Sequence, residues 1–277
     1  MSPGEQAEKL VADFGITSPE DLDVEAFAFD AQLEVEYQEL QGCEATLVGF
    51  ENRAIATVRP SAVLGRQRFS IAHELGHWMM HRGRSFRCRV DDPGDNLASN
   101  KDFEKHADEY ASHLLMPRPI FQPMVKAIGK PGFRQINDLA EAFQSSRTAT
   151  CIRLAQIDTL PVVVACYGKD GLRWHVRAPD VPKRWFLRGA LDDDSFAYEL
   201  ATSSGADIKQ GKQPAEVWFE NTDAVDYEVM EHCARGRQGE VLVLIYLVDA
   251  EMMESGFDPE VGTHRYNERG SYVNRRS

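Results

Sequence analysis

The five residues His73-Glu74-Leu75-Gly76-His77 constrain this chain more than any other stretch. They lie in a run from about Arg66 to Arg82 that reads as helical, and on a helix residues four apart share a face. Both imidazoles can then point at one ion from a single rigid element. Zinc suits two nitrogen donors plus a carboxylate, with a fourth position left for water. Glu74 lies one residue on, rotated by about 100°, beside such an ion rather than on it. There it can take a proton from water at the ion and pass it to a leaving amine. The plainer alternative is an exposed helix with polar residues at 73, 74 and 77. Gly76 speaks against it, because glycine costs a helix interior about 1 kcal/mol unless something needs the space.

A third ligand is sought on the next helical run, from Ser99 or Asn100 to Leu115, where Phe103, Ala107, Tyr110, Ala111, Leu114 and Leu115 recur at helical spacing. Glu104 can complete a His-His-Glu set, and Asp108, one turn on, can accept the N–H of a ligating histidine. Alternatively Glu104, Lys105, Asp108 and Glu109 are a solvated face. His81, His106 and His113 are rivals for a metal or oxyanion role, or surface and packing histidines. Arg68 is read as a holder of a carboxylate in the site or as an ordinary salt-bridge partner.

Two segments together resemble a known family. Arg68-Phe69-Ser70-Ile71-Ala72-His73-Glu74-Leu75-Gly76-His77 is similar to the core of the ImmA/IrrE metallopeptidases. Glu104 to Pro117, reading EKHADEYASHLLMP, resembles that family's second signature, E-x-x-A-[DN]-x-[FY]-A-x-x-L-L-M-P. They occur in the family's order, with 26 residues between His77 and Glu104. The resemblance covers about residues 5–120. It implies a gluzincin-like zinc peptidase with His73, His77 and Glu104 as ligands to one Zn2+ per chain and Glu74 as catalytic base. Manganese or iron suit the same ligands.

Beyond Pro131, Phe133–Phe143 and Ser146–Leu154 are similar to a helix-turn-helix, which longer family members carry there. The turn is Gln144-Ser145 where a glycine and an aliphatic residue are usual, and a glycine would supply a positive φ. Residues 126–160 hold five basic and three acidic residues, and the second helix offers only Arg147 and Arg153 to phosphates. A helical platform under the peptidase is the competing reading. After Pro161 the texture is strand-rich: Val162–Tyr167 and Leu172–Val176 flank a Gly168-to-Gly171 turn. Glu216–Glu220 and Val241–Val248 read as further strands, and Tyr227–Ala234 as a helix. Length and strand content there are compatible with the GAF-like sensor domain of stress-response members. Trp174, Trp185 and Trp218 are read as core or as lining a ligand pocket.

The expected architecture is therefore α+β: a metallopeptidase domain at 1–125, a helix-turn-helix-like segment at 126–160 and a C-terminal α/β GAF-like sensor or regulatory domain at 161–277. Forty-four acidic against 31 basic residues give a net charge of −13, which repels nucleic acid and anionic membrane at long range. Direct DNA binding and membrane association are not expected. No stretch reads as a signal peptide, and five scattered cysteines without a CxxC suit a reducing cytoplasm. By resemblance, the function is a cytoplasmic zinc endopeptidase that cuts a helix-turn-helix repressor or antitoxin, derepressing stress-response or mobile-element genes. The alternatives are a DNA-binding regulator with a vestigial peptidase domain and a zinc hydrolase acting on something other than protein.

Overall fold

In the computed structural model, residues 1–61, 63–82, 86–88 and 98–254 are described. Residues 62, 83–85, 89–97 and 255–277 lie outside them. The first half begins with helices α1 (Pro3–Asp13) and α2 (Val24–Asp30), each started by a side-chain cap, Ser2 and Asp23 respectively. Strands β1 (Leu33–Tyr37), β2 (Ala45–Phe50) and β3 (Arg53–Val58) follow, then α3 (Leu64–Met80), β4 (Phe86–Cys88) and α4 (Ala98–Leu115). The sheet order is β1-β3-β2-β4, with β1 parallel to β3 and the other pairs antiparallel.

Alternation along β2 and β3 turns Ala45, Leu47, Ala54, Ala56 and Val58 inward and leaves Val48, Phe50 and Ile55 outside. Helix α3 packs on the inner face, with α4 on its other side. Every residue from Ser70 to Trp78 is consequently buried, polar ones included. The Trp78 indole N–H donates to the Ala31 carbonyl at 2.8 Å, fixing α3 against the end of α2.

Gly76 sits at the crossing of α3 and α4. A Cβ there would stand 3.1 Å from the Ala107 Cα and 3.1 Å from the Tyr110 Cβ. The glycine lets two backbones approach more closely than side chains allow.

Helices α5 (Arg118–Ile128), α6 (Phe133–Ala142) and α7 (Arg147–Gln156) connect the halves. Between α6 and α7, Gln144 adopts φ 48°, so the turn takes the left-handed conformation without glycine. The faces of α7 run opposite to those of a free recognition helix. Thr150, Cys151, Arg153, Leu154 and Ala155 are buried. Arg153, 1% exposed, donates through Nε to the Met116 carbonyl at 2.8 Å and through Nη2 to Glu8 Oε1 at 2.9 Å. It is therefore not available to a phosphate. Arg147 is engaged as well, with the Asn137 side chain and the Arg235 carbonyl.

The second half is an antiparallel sheet ordered β6-β5-β9-β8-β7, built from β5 (Val162–Gly168), β6 (Gly171–Arg177), β7 (Ile208–Pro214), β8 (Glu228–Arg235) and β9 (Val241–Leu247), with α8 (Phe196–Thr202) beside it. The hairpin at Gly168–Gly171 forms as its turn residues require. Strand β9 is buried along its whole length, β5 nearly so. Helix α7 packs on β5 and β6, and the Tyr246 hydroxyl donates to the Pro131 carbonyl at 2.7 Å.

Two expectations fail here. Tyr227–Ala234 is not a helix but most of β8, paired with β7 and β9. Its Glu, Met and Ala favour a helix locally, and sheet pairing overrides that preference. Glu216–Glu220 is not a strand. Trp218 and Phe219 are consecutive and both buried, which alternation on a half-exposed strand forbids, and the chain instead turns through a 3-10 segment at Ala215–Val217. Trp185 and Trp218 are core, at 0% and 1% exposure, rather than pocket walls. Cys43, Cys151, Cys166 and Cys233 are free and buried. No helix among the described residues is long and apolar enough to cross a membrane.

The close crossing yields the first test. Gly76→Val places a branched side chain against the Ala107 backbone. It should cost about 1–3 kcal/mol in chemical denaturation and weaken metal retention, because it parts the two helices.

Candidate metal centre

Helix α3 supplies His73 and His77, and α4 brings Glu104 and Asp108 across from the other side of the Gly76 crossing. Ligand atoms of His73, His77 and Glu104 all fall within 4.8 Å of one another. The His77 and His73 Nε2 atoms are 3.0 Å apart; His73 Nε2 lies 3.1 Å from Glu104 Oε2, and His77 Nε2 lies 3.4 Å from Glu104 Oε1. A tetrahedral ion with bonds of about 2.0–2.1 Å separates its ligands by about 3.3 Å. The three donors stand at that spacing, and two imidazole nitrogens turned on each other make sense only with a cation or a proton between them. The donor set fits a divalent ion.

Behind the ligands, Asp108 Oδ1 lies 2.9 Å from His73 Nδ1. A carboxylate there accepts the Nδ1–H and leaves the Nε2 lone pair directed at the centre. Glu74 is fully buried on α3 beside His73, near enough that its charge favours the protonated ring. Phe69 lies against His73, with ring centroids 6.1 Å apart.

Burial and neighbouring charge set the proton balance. Burial pulls His73 down, but hydrogen bonds to Asp108 and Glu104 and the charge of Glu74 outweigh it and hold the ring up at about 10. His77 goes the other way, lowered chiefly by burial and by the adjacent His73. Burial raises Glu104, yet the two imidazoles bring it down to about 2. With no ion between them, these contacts favour a second proton on the His73 ring, at Nε2 beside the Nδ1–H.

Of the other histidines, His81 stands one turn on beside His77, with ring centroids 5.7 Å apart, and His113 lies away from the centre. The His81 ring is 4.5 Å from Phe103 and stacks with His106 at 6.0 Å, whereas His113 Nδ1 bonds Glu8 Oε1 at 2.8 Å. Among the described residues, Arg68 meets neither a site carboxylate nor any other ion-pair partner at salt-bridge distance; its guanidinium donates to the Leu22 carbonyl at 2.8 Å. The role of Glu8 has no sequence signal. Its Oε1 accepts from His113, the Arg118 amide and Arg153, tying α1 to α4, α5 and α7. Only the fold reveals it, since Glu8 and Arg153 are 145 residues apart.

Two histidines and a glutamate on crossing helices, over a small mixed sheet, define a metallohydrolase type of centre. Residues 47–155 match the family Peptidase_M78, the IrrE N-terminal-like domain. Residues 47–155 thus form a domain of the IrrE N-terminal-like peptidase kind. A curated relative, the radiation response metalloprotease IrrE of Deinococcus radiodurans, is 27% identical over 130 residues. That match covers 47% of this chain and 36% of the relative, so the chain spans about a third of that protein's length. A solved Mycobacterium tuberculosis transcriptional regulator superposes with a TM-score of 0.62 over 94% of this chain and 80% of its own, at 13% identity, which is a likeness of fold.

The proton balance predicts pH-dependent loading. An ion must displace the His73 proton, so below about pH 10 each ion bound should release about one proton, with affinity rising about tenfold per pH unit. Zinc calorimetry in buffers of different ionisation enthalpy measures this directly; buffer-independent heats would contradict it. Asp108→Ala should weaken metal binding by about 10–100-fold, read by competition with a chromogenic chelator.

Proposed function

We propose that this chain is a zinc-dependent endopeptidase whose substrate is a helix-turn-helix repressor or antitoxin, cut to derepress stress-response or mobile-element genes. The observation that carries the reading is the convergence of His73, His77 and Glu104, with Asp108 behind His73 and Glu74 buried next to it. His73, His77 and Glu104 would hold the ion. When bound, zinc supplies a Lewis acid that polarises a carbonyl and makes water acidic.

The protein's own groups do the rest. Asp108 fixes the His73 ring by accepting its Nδ1–H. The Glu74 carboxylate takes a proton from the attacking water and delivers it to the leaving amine. Burial of Glu74 and both histidines keeps bulk water from screening those charges. The domain layout at 1–125, 126–160 and 161–277 and the GAF-like, regulatory reading of the last part belong to the same proposal, supported by the separate antiparallel sheet. The cytoplasm, as the compartment of a repressor substrate, belongs to it too.

Glu74→Gln should lower cleavage of a co-expressed helix-turn-helix protein by at least about 10²–10⁴-fold while still retaining zinc. A chelator should abolish cleavage, and added zinc should restore it. Unimpaired cleavage by Glu74→Gln would refute the mechanism.

The helix pair at α6–α7 and the likeness of fold to a transcriptional regulator favour a second reading, a DNA-binding regulator. Tight DNA binding with a steep salt slope in a filter assay would establish it. The burial of Arg153 weighs against it.

A further inference from the structure

A cleft of about 1260 Å³ opens beside the metal centre, where both halves and the connecting helices meet. Phe69 and Asp108 form one wall, Ser146 at the α6–α7 turn another, and Arg237 and Glu240 on the β8–β9 loop a third. The volume exceeds the roughly 300–1,000 Å³ of small-molecule pockets and has room for an extended chain segment.

Its charges are unevenly satisfied. Each carboxylate on the wall already has a partner: Asp108 has His73, Glu109 accepts from the Gly4 amide at 3.2 Å, and Glu240 pairs with Arg173. Lys105 and Arg237 also line the cleft, both exposed, and neither has a carboxylate partner among the described residues. Lys105 comes from α4 and Arg237 from the opposite half. In a chain of net charge −13, two unengaged cations around one groove select for an acidic occupant.

We propose that this cleft is a docking groove for an extended acidic segment of the protein substrate, held between Lys105 on α4 and Arg237 on the β8–β9 loop. Asp108 and Phe69 face both the cleft and His73, so a segment seated there continues toward the centre. The C-terminal half then contributes to substrate choice. The inference rests on the peptidase reading for the identity of the docked protein, though not for binding itself.

The test uses the intact chain carrying Glu74→Gln and a short fluorescein-labelled peptide of alternating glutamate and alanine, read by anisotropy. The acidic peptide should bind, lose affinity steeply with added salt, and bind about tenfold or more weakly to Lys105→Glu/Arg237→Glu. A lysine–alanine peptide should show the reverse preference, with circular dichroism verifying that the double variant is folded. Equal binding of both peptides, or no change in the double variant, overturns the proposal. Displacement by low concentrations of inorganic phosphate overturns it in favour of a small-anion site. Chelator should leave binding intact; a zinc-loaded Glu74 chain that binds the peptide but cuts no protein would refute the peptidase reading alone.

Discussion

The candidate metal centre depends on how closely α3 and α4 approach each other. Neither helix holds the centre alone: α3 brings two imidazoles, and α4 brings Glu104 and the carboxylate that orients one of them. Donors spaced 3.0–3.4 Å apart tolerate little parting of the helices that carry them. A side chain at residue 76 would meet the Ala107 backbone, and its absence sets the separation. The alanines of β3 serve the same end from the other side, letting the sheet lie close beneath α3. Close packing converts two ordinary amphipathic helices into a binding geometry.

Around that crossing, the structure is held by polar contacts across long stretches of sequence. Glu8 binds α1 to three other helices through one oxygen, and the buried Arg153 joins that cluster to the end of α4. Helix α7 thereby becomes an internal strut. The turn before it passes through the left-handed region at Gln144, while the basic side chains of α7 face protein. The C-terminal sheet covers the far side of the same helix pair, and its β8–β9 loop returns to the cleft beside the metal centre. Platform, sheet and centre are thus mechanically continuous.

What the sequence made legible was local. Periodic apolar positions marked α3 and α4, the five-residue metal motif marked one face of α3, and spacing made Glu104 and Asp108 candidates that the fold brings to His73. The Gly168–Gly171 hairpin and the apolar run of β9 were equally readable. Elements decided by their neighbours were not. Residues 228–235 have the composition of a helix and become a strand because two strands flank them. Strand β7, Ile208–Pro214, carries no apolar alternation because it is a sheet edge, where lysine and glutamine are tolerated. Phe196–Thr202 is too short to show a period, and its first amides bond Glu231 from a distant strand. That Lys105 and Arg237 line one cleft follows from topology alone, with no spacing that announces it.

The three-way bond at Glu8 has a consequence for synthesis. Its partner Arg153 is 145 residues downstream, and ribosomes add roughly 5–20 residues per second. The first helix therefore waits roughly 7–30 s, at those rates, before the guanidinium that anchors it has been made. For the last part of that interval, once Leu115 has been added, the two helices of the candidate metal centre are complete, but the strut that braces them is not. The helix made first is locked last, and the nascent chain carries its candidate ligands in a half-built frame until α7 emerges.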